Sequence, residues 1–191
     1  SLLPLVPSVG YLRYGDEALD LYNRIAQVVG RGGVRVGEDL LQVVRRFGRG
    51  RGIYPSGAQL ARQFLRVAHI PGAERLLRHL ATAPFPQVKG YVFQLEWVAV
   101  HADEVVEIER SLGNRRSIDV VLKDGTFVEL KHYDWSRYSK GQLENLAKEF
   151  RKQLNVYKKH ANQVKFIFRG GVPDIVRKEL EAAGAIVEVY P

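Results

Sequence analysis

The 191 residues, 46% of them hydrophobic, suffice for one domain of ordinary size or a compact domain with an appended subdomain. The absence of cysteine excludes disulfides, thiolate metal sites and cysteine nucleophiles, so a metal must sit on carboxylates, imidazoles or carbonyls, which favours hard cations. A net charge of +8 and a pI near 9.8 point to an acidic partner, nucleic acid first and an acidic protein equally compatible.

The charge is unevenly spread. Before Lys89 there are 12 arginines and no lysine against 6 acids; from Lys89 onward 17 bases meet 15 acids. The opening SLLPLVPSVGYL is broken by two prolines and lacks a basic leader, so it predicts no signal peptide. No apolar run approaches the roughly 20 residues of a membrane span. Methionine is missing altogether, as expected of a processed chain or a piece of a longer protein.

Residues 15–82 read as helices separated by glycine and proline breaks. GDEALDLYNRIAQVVG carries acids in its first turn and ends on Gly30; VGEDLLQVVRRFG repeats the pattern before GRGRG interrupts it as a flexible basic hinge. SGAQLARQFLRVAH begins on a serine cap, and GAERLLRHLA supplies one more short helix. APFPQV, at 83–88, contains two prolines and marks the expected boundary between a basic helical region, 1–85, and a second domain, 86–191.

Beyond it the pattern changes. KGYVFQLEWVAVHA predicts a buried helix, and EVVEIERSL, RRSIDVVLK and TFVELKHYDW predict three strands. KGQLENLAKEFRKQLNVYKKHA is a long amphipathic helix with Leu143, Leu146, Phe150 and Leu154 on one stripe. A strand (QVKFIFRG), a helix closed by Gly184 and a last strand (AIVEVY) complete an α/β order of helix, three strands, helix, strand, helix, strand.

The chemistry is concentrated in the second and third strands. Side chains alternate across a strand, so Glu129 and Lys131 share one face while His132 points to the other, as a surface or packing histidine. Asp119 lies ten residues upstream among apolar neighbours, and the turn decides whether it meets Glu129. A two-residue loop at Asp124 and Gly125 would turn it away. A three-residue loop over Lys123, Asp124 and Gly125, with Gly125 left-handed, sets Asp119 opposite Glu129, and this register is the one predicted. Two carboxylates facing each other destabilise a hairpin unless they close on a cation.

Asp119, nine intervening residues, then Glu129-Leu130-Lys131 on a hairpin between helices resembles the PD-(D/E)XK nuclease superfamily. The family's leading proline is absent, since Ser117 and Ile118 precede Asp119. The resemblance covers a little over the second half of the chain and implies a restriction-endonuclease-like mixed sheet, αβββαβ plus αβ, behind the small helical region. It implies Mg²⁺, with Mn²⁺ or Zn²⁺ as alternatives, held by Asp119 and Glu129, with Lys131 catalytic. Glu96, in the preceding helix, is the candidate third ligand and catalytic acid; a helix-edge glutamate reaching solvent is the alternative. Gln153 and Tyr157, one helical turn apart, are similar to the Q-x-x-x-Y signature of RecB-like members, Gln153 as a catalytic residue and Tyr157 as a nucleic-acid contact.

Trp135, Arg137, Tyr138 and Lys140 mix aromatic and basic groups beside the site, either to stack on bases and grip phosphates or to pack locally. Glu107 and Glu109 read as a solvated strand edge that could add a ligand. The expected activity is hydrolysis of phosphodiester bonds, DNA ahead of RNA. Two settings fit: the toxic module of a secreted bacterial protein acting in a target cell's cytoplasm and met by an acidic immunity protein, or a cytoplasmic repair nuclease. LVPSVGYLRYGDEALDLYNRIAQ resembles segments that precede toxin modules. A noncatalytic nucleic-acid-binding module is the alternative of another class.

Overall fold

The computed structural model describes residues 33–191 and, before them, Asn23, Arg24, Ala26, Gln27 and Gly30, all five of them helical. The P-x-V-G segment and most of the helix expected over 15–30 lie outside the described residues. Four helices come first: α1 (Val34–Phe47), α2 (Gly57–Val67), α3 (Ala73–Thr82) and α4 (Phe85–Val100). There follow β1 (Val105–Gly113), β2 (Arg116–Leu122), β3 (Phe127–Lys131), α5 (Lys140–Tyr157), β4 (Val164–Arg169), α6 (Asp174–Ala182) and β5 (Ile186–Tyr190).

The strands form one five-stranded mixed sheet in sequential order. β2 runs antiparallel to both its neighbours, β1 and β3, whereas β3, β4 and β5 run parallel, joined by α5 and α6. Parallel neighbours need a crossover, and a helix supplies it. β3 is the central strand, and its first four residues are buried because both faces of the sheet are covered. On one face Val120, Val128 and Leu130 join the side chains of α1 to α4; on the other Val121 and Phe127 join Phe150 and Leu154 of α5 and Val176 of α6.

The serine cap expected at the start of SGAQL forms, and α5 has one as well. Ser56 Oγ accepts from Gln59 N at 3.1 Å, and Ser139 and Gln142 make a reciprocal capping box at the start of α5. The prolines at 84 and 86 behave differently from expectation. Pro84 caps α4 and Pro86 sits in its first turn, where the missing N–H has no intrahelical partner to lose. The expected boundary is thus the beginning of the buried helix, and one apolar cluster runs from Leu40 and Phe64 through Trp97 to Val128 and Ile167.

Backbone contacts hold the helical region to the sheet as well. Ile108 N donates to Pro71 O at 2.8 Å, and Gly72, at φ 93°, lies so close that a Cβ there would stand 1.7 Å from Ile108 O. Arg75 donates to the carbonyls of Ile108 and Glu109. The GRGRG segment is likewise a closed turn and no hinge: Arg51 and Tyr54 exchange backbone hydrogen bonds of 3.2 and 3.1 Å, and Gly57 N reaches Gly48 O at 2.9 Å.

Candidate active site

The turn between β2 and β3 fixes which carboxylates meet. Leu122 N donates to Thr126 O at 3.0 Å and Gly125 N to Leu122 O at 2.9 Å, with Gly125 at φ 84°, the three-residue loop read from the sequence. Val120 pairs with Val128 and Val121 with Phe127, so the next position sets Asp119 opposite Glu129. There the ladder stops. Continued regularly, it would give the Leu130 N–H to the Ile118 carbonyl; instead Asp119 Oδ2 accepts it at 2.9 Å. The two strands part at the two acids, and a cleft of about 540 Å³ opens over them.

Glu129 is 4% exposed and is met by three donors. Lys131 Nζ lies 2.5 Å from its Oε1, Gln153 Nε2 2.8 Å from the same oxygen, and Tyr157 Oη 2.9 Å from Oε2. Gln153 Nε2 also donates to Tyr157 Oη at 2.7 Å, leaving the phenol's proton for Glu129 or for Ser117 O, 3.1 Å away. Burial, then the charge of Glu129, pushes the Tyr157 hydroxyl well up, so it is a neutral donor.

Lys131 lies over the Phe150 ring at 5.1 Å. Burial works to lower its pKa, yet Glu129 and Asp119 outweigh this and the ammonium is raised above its ordinary value. Asp119 is pushed well above the usual carboxylate range, by burial first and by the charge of Glu129 second, against the opposing pull of Lys131 and the Leu130 N–H.

This donor set fits a hard divalent cation. Two carboxylates of unequal protection share a face, their mutual repulsion is met by one ammonium, and no sulfur is present. Among the described residues no cluster of three acidic or histidine side chains is placed to hold a metal, so waters and backbone carbonyls would complete the shell, as Mg²⁺ tolerates.

Several expected residues stand elsewhere. Glu96 does not join the acids: its carboxylate is ion-paired with Arg169 at the end of β4, away from the cleft. The polar residue that α4 turns to the hairpin is Gln94, 2% exposed, whose Nε2 donates to Asp119 O at 3.0 Å. Tyr157, expected as a nucleic-acid contact, is 1% exposed and acts on Glu129 from within.

Trp135 packs locally, donating to Gly171 O at 2.8 Å and stacked on Tyr133 with ring centroids 5.0 Å apart. Neither Trp135 nor Lys140 lines the cleft. Arg137 and Tyr138 do line it, Arg137 beside Asp134 at 2.9 Å and otherwise in solvent. Gln87, Lys89 and Tyr91 of α4 line it as well. His132 lies on the other face of β3 from Lys131, edge-on to Phe93 at 6.3 Å, and reaches the cleft rim.

Glu109 departs from the solvated edge expected of it. Glu107 is partly exposed beside Arg110, but Glu109 is only 9% exposed. Ile108 pairs with Val120 and Arg110 with Ile118, which sets Glu109 opposite Asp119, so Glu109, Asp119 and Glu129 form a row across three strands. The equal spacing of ten residues was the available signal. Glu109 adopts φ 52°, and its Oε2 lies 3.6 Å from His79 Nε2 on α3; burial pushes its pKa up to about 7. Compared with family models, curated proteins and solved structures, the chain matches none.

Proposed function

We propose that the chain is a metal-dependent nuclease that hydrolyses phosphodiester bonds, DNA ahead of RNA. The observation that carries this reading is the pairing of Asp119 with Glu129 where the hairpin opens, with Lys131 on the same strand face and a cleft above. The element order from α4 to β4, with β1–β3 antiparallel and β4 parallel to β3, agrees with a restriction-endonuclease-like core.

Asp119 and Glu129 are the residues that would hold Mg²⁺ or Mn²⁺, which when bound supplies water activation and neutralisation of phosphate charge. The chain's own groups set up the rest. Gln153 and Tyr157 fix the Glu129 carboxylate from behind, so that its remaining freedom is toward the cleft. Lys131, charged at neutral pH, stabilises negative charge that develops on a phosphoryl oxygen and orients a water beside Glu129. Lys89 and Arg137, both lining the cleft, attract the polyanion.

The test is incubation of the purified protein with a plasmid, single-stranded DNA and transfer RNA, with Mg²⁺, with Mn²⁺ and with chelator. Metal-dependent cleavage that Glu129→Ala and Lys131→Ala abolish supports the reading. Cleavage surviving both substitutions refutes the site, and metal-independent binding without cleavage turns the reading to a noncatalytic binding module.

A further inference from the structure

We propose that the turn between α1 and α2, together with the first turn of α4, binds the nucleic-acid strand where it leaves the cleft, a contact that rests on the nuclease reading. The turn is rigid. Gly50 stands at φ 82° with its Cα packed so that a Cβ would meet Tyr54 O at 2.8 Å and Ser56 N at 2.9 Å, and Gly50 N donates to Phe47 O at 2.8 Å. Arg49 and Arg51 are carried on this fixed backbone and are exposed.

Arg75, Arg78, Arg110, Arg137, Arg151, Arg169 and Arg177 each have an acidic partner. Arg46 is occupied by the carbonyls of Leu80 and Ala83. Like Arg35, Arg45, Arg66, Arg115 and Arg116, Arg49 and Arg51 have no acidic partner among the described residues; what distinguishes them is the fixed turn that carries both.

Apolar groups stand beside them. Ile53, in the same turn, is 65% exposed, and Phe85, the first residue of α4, is 48% exposed. The Phe85 ring has Arg46 at 4.5 Å and Tyr54 edge-on at 5.7 Å, and Tyr54 Oη donates to Phe85 O at 3.3 Å, which ties the turn to the helix start. Pro86 and Gln87, the next two residues, are already cleft wall. Cations without acids beside an exposed ring held in place suit a chain that offers phosphates and base faces alternately. An acidic peptide would use the arginines and leave the ring without a role.

The experiment measures binding of fluorescein-labelled single-stranded DNA in chelator, comparing strands of about 5 and about 20 nucleotides, near the lower end of and beyond the roughly 4–16 nucleotides that one single-strand-binding fold covers. Expected is that Arg49→Glu with Arg51→Glu weakens the long strand at least roughly tenfold and flattens its salt dependence by about 1.4 in log–log slope, two phosphate contacts. Phe85→Ala weakens it about fivefold. The short strand, filling the cleft alone, changes by less than about twofold under either variant. Arg49→Gln with Arg51→Gln, which adds no acid, repeats the effect more mildly. Unchanged long-strand binding, or equal losses for both lengths, overturns the proposal, as does a glutamate-rich peptide that binds the parent as tightly as the long strand. A parent that binds in this length-dependent way but never cleaves refutes the nuclease reading alone; a parent that cleaves while the arginine variants bind normally refutes this contact alone.

Discussion

Glu109 and Glu129 flank Asp119 on neighbouring strands, both nearly withdrawn from solvent, and their surroundings are opposite in kind. Three donors converge on Glu129, two from one helix turn and one from its own strand. Glu109 has a histidine at 3.6 Å whose own pKa is lowered by burial, and an arginine, Arg75, that gives its hydrogen bonds to backbone carbonyls and to Glu74 and none to the Glu109 carboxylate. Burial alone pushes a carboxyl toward its neutral form; donors aimed at both oxygens are what make a buried carboxylate available as an anion. The Glu129 side is built for charge, and the Glu109 side for joining the helical region to the sheet.

The sharpest way to break this contrast is to neutralise each acid in turn. Glu129→Gln is expected to lower the cleavage rate by roughly a thousandfold, within the range of a lost acid–base or metal-holding group, while Glu109→Gln changes it less than about threefold. Equal losses in a plasmid-cleavage time course would show that the row acts as one site. The β1 junction is tested next by Gly72→Ala, which must push Ile108 O away from a positive-φ position; a loss of about 3 kcal/mol in urea unfolding is expected.

A smaller effect comes from the Glu109 proton. Its pKa rises from 4.5 in the unfolded chain to about 7 in the fold, so between those values the folded state binds more protons and stability falls as pH rises. Glu109→Gln removes this loss. The variant should be more stable than the parent by on the order of 2 kcal/mol at pH 8, with the gap closing between pH 7 and 4.5 in thermal melts. A gap independent of pH would mean that Glu109 is not protonated preferentially by the fold. The smallest expected change is Tyr157→Phe, which keeps the buried ring and deletes one hydroxyl: about 1 kcal/mol of stability, with cleavage slowed more than this loss of folded protein accounts for.

Much of this was legible in the chain because local rules decided it. Gly125 after Asp124 set the three-residue turn, and the turn set which face Asp119 takes. Ser56 announced its helix. Other features depended on tertiary structure. α4 is apolar on nearly all sides, so its sequence carries no amphipathic phase to tell whether Gln94 or Glu96 turns toward the hairpin; packing decided for Gln94. The β1–β2 connection turns on Asn114 and Arg115, both at positive φ, a pair that does not advertise a tight hairpin, so the register bringing Glu109 beside Asp119 stayed hidden. GRGRG read as a flexible hinge by composition, yet its glycines serve close backbone approach.

Asp119 and Glu129 are proposed to hold a divalent cation together. This is tested most directly by Mn²⁺ titration followed by electron paramagnetic resonance on the parent, Asp119→Asn, Glu129→Gln and Glu109→Gln proteins. Saturable binding to the parent and to Glu109→Gln, weakened by roughly a hundredfold in each of the other two, is the predicted result. Equal Mn²⁺ affinity in all four proteins would contradict it.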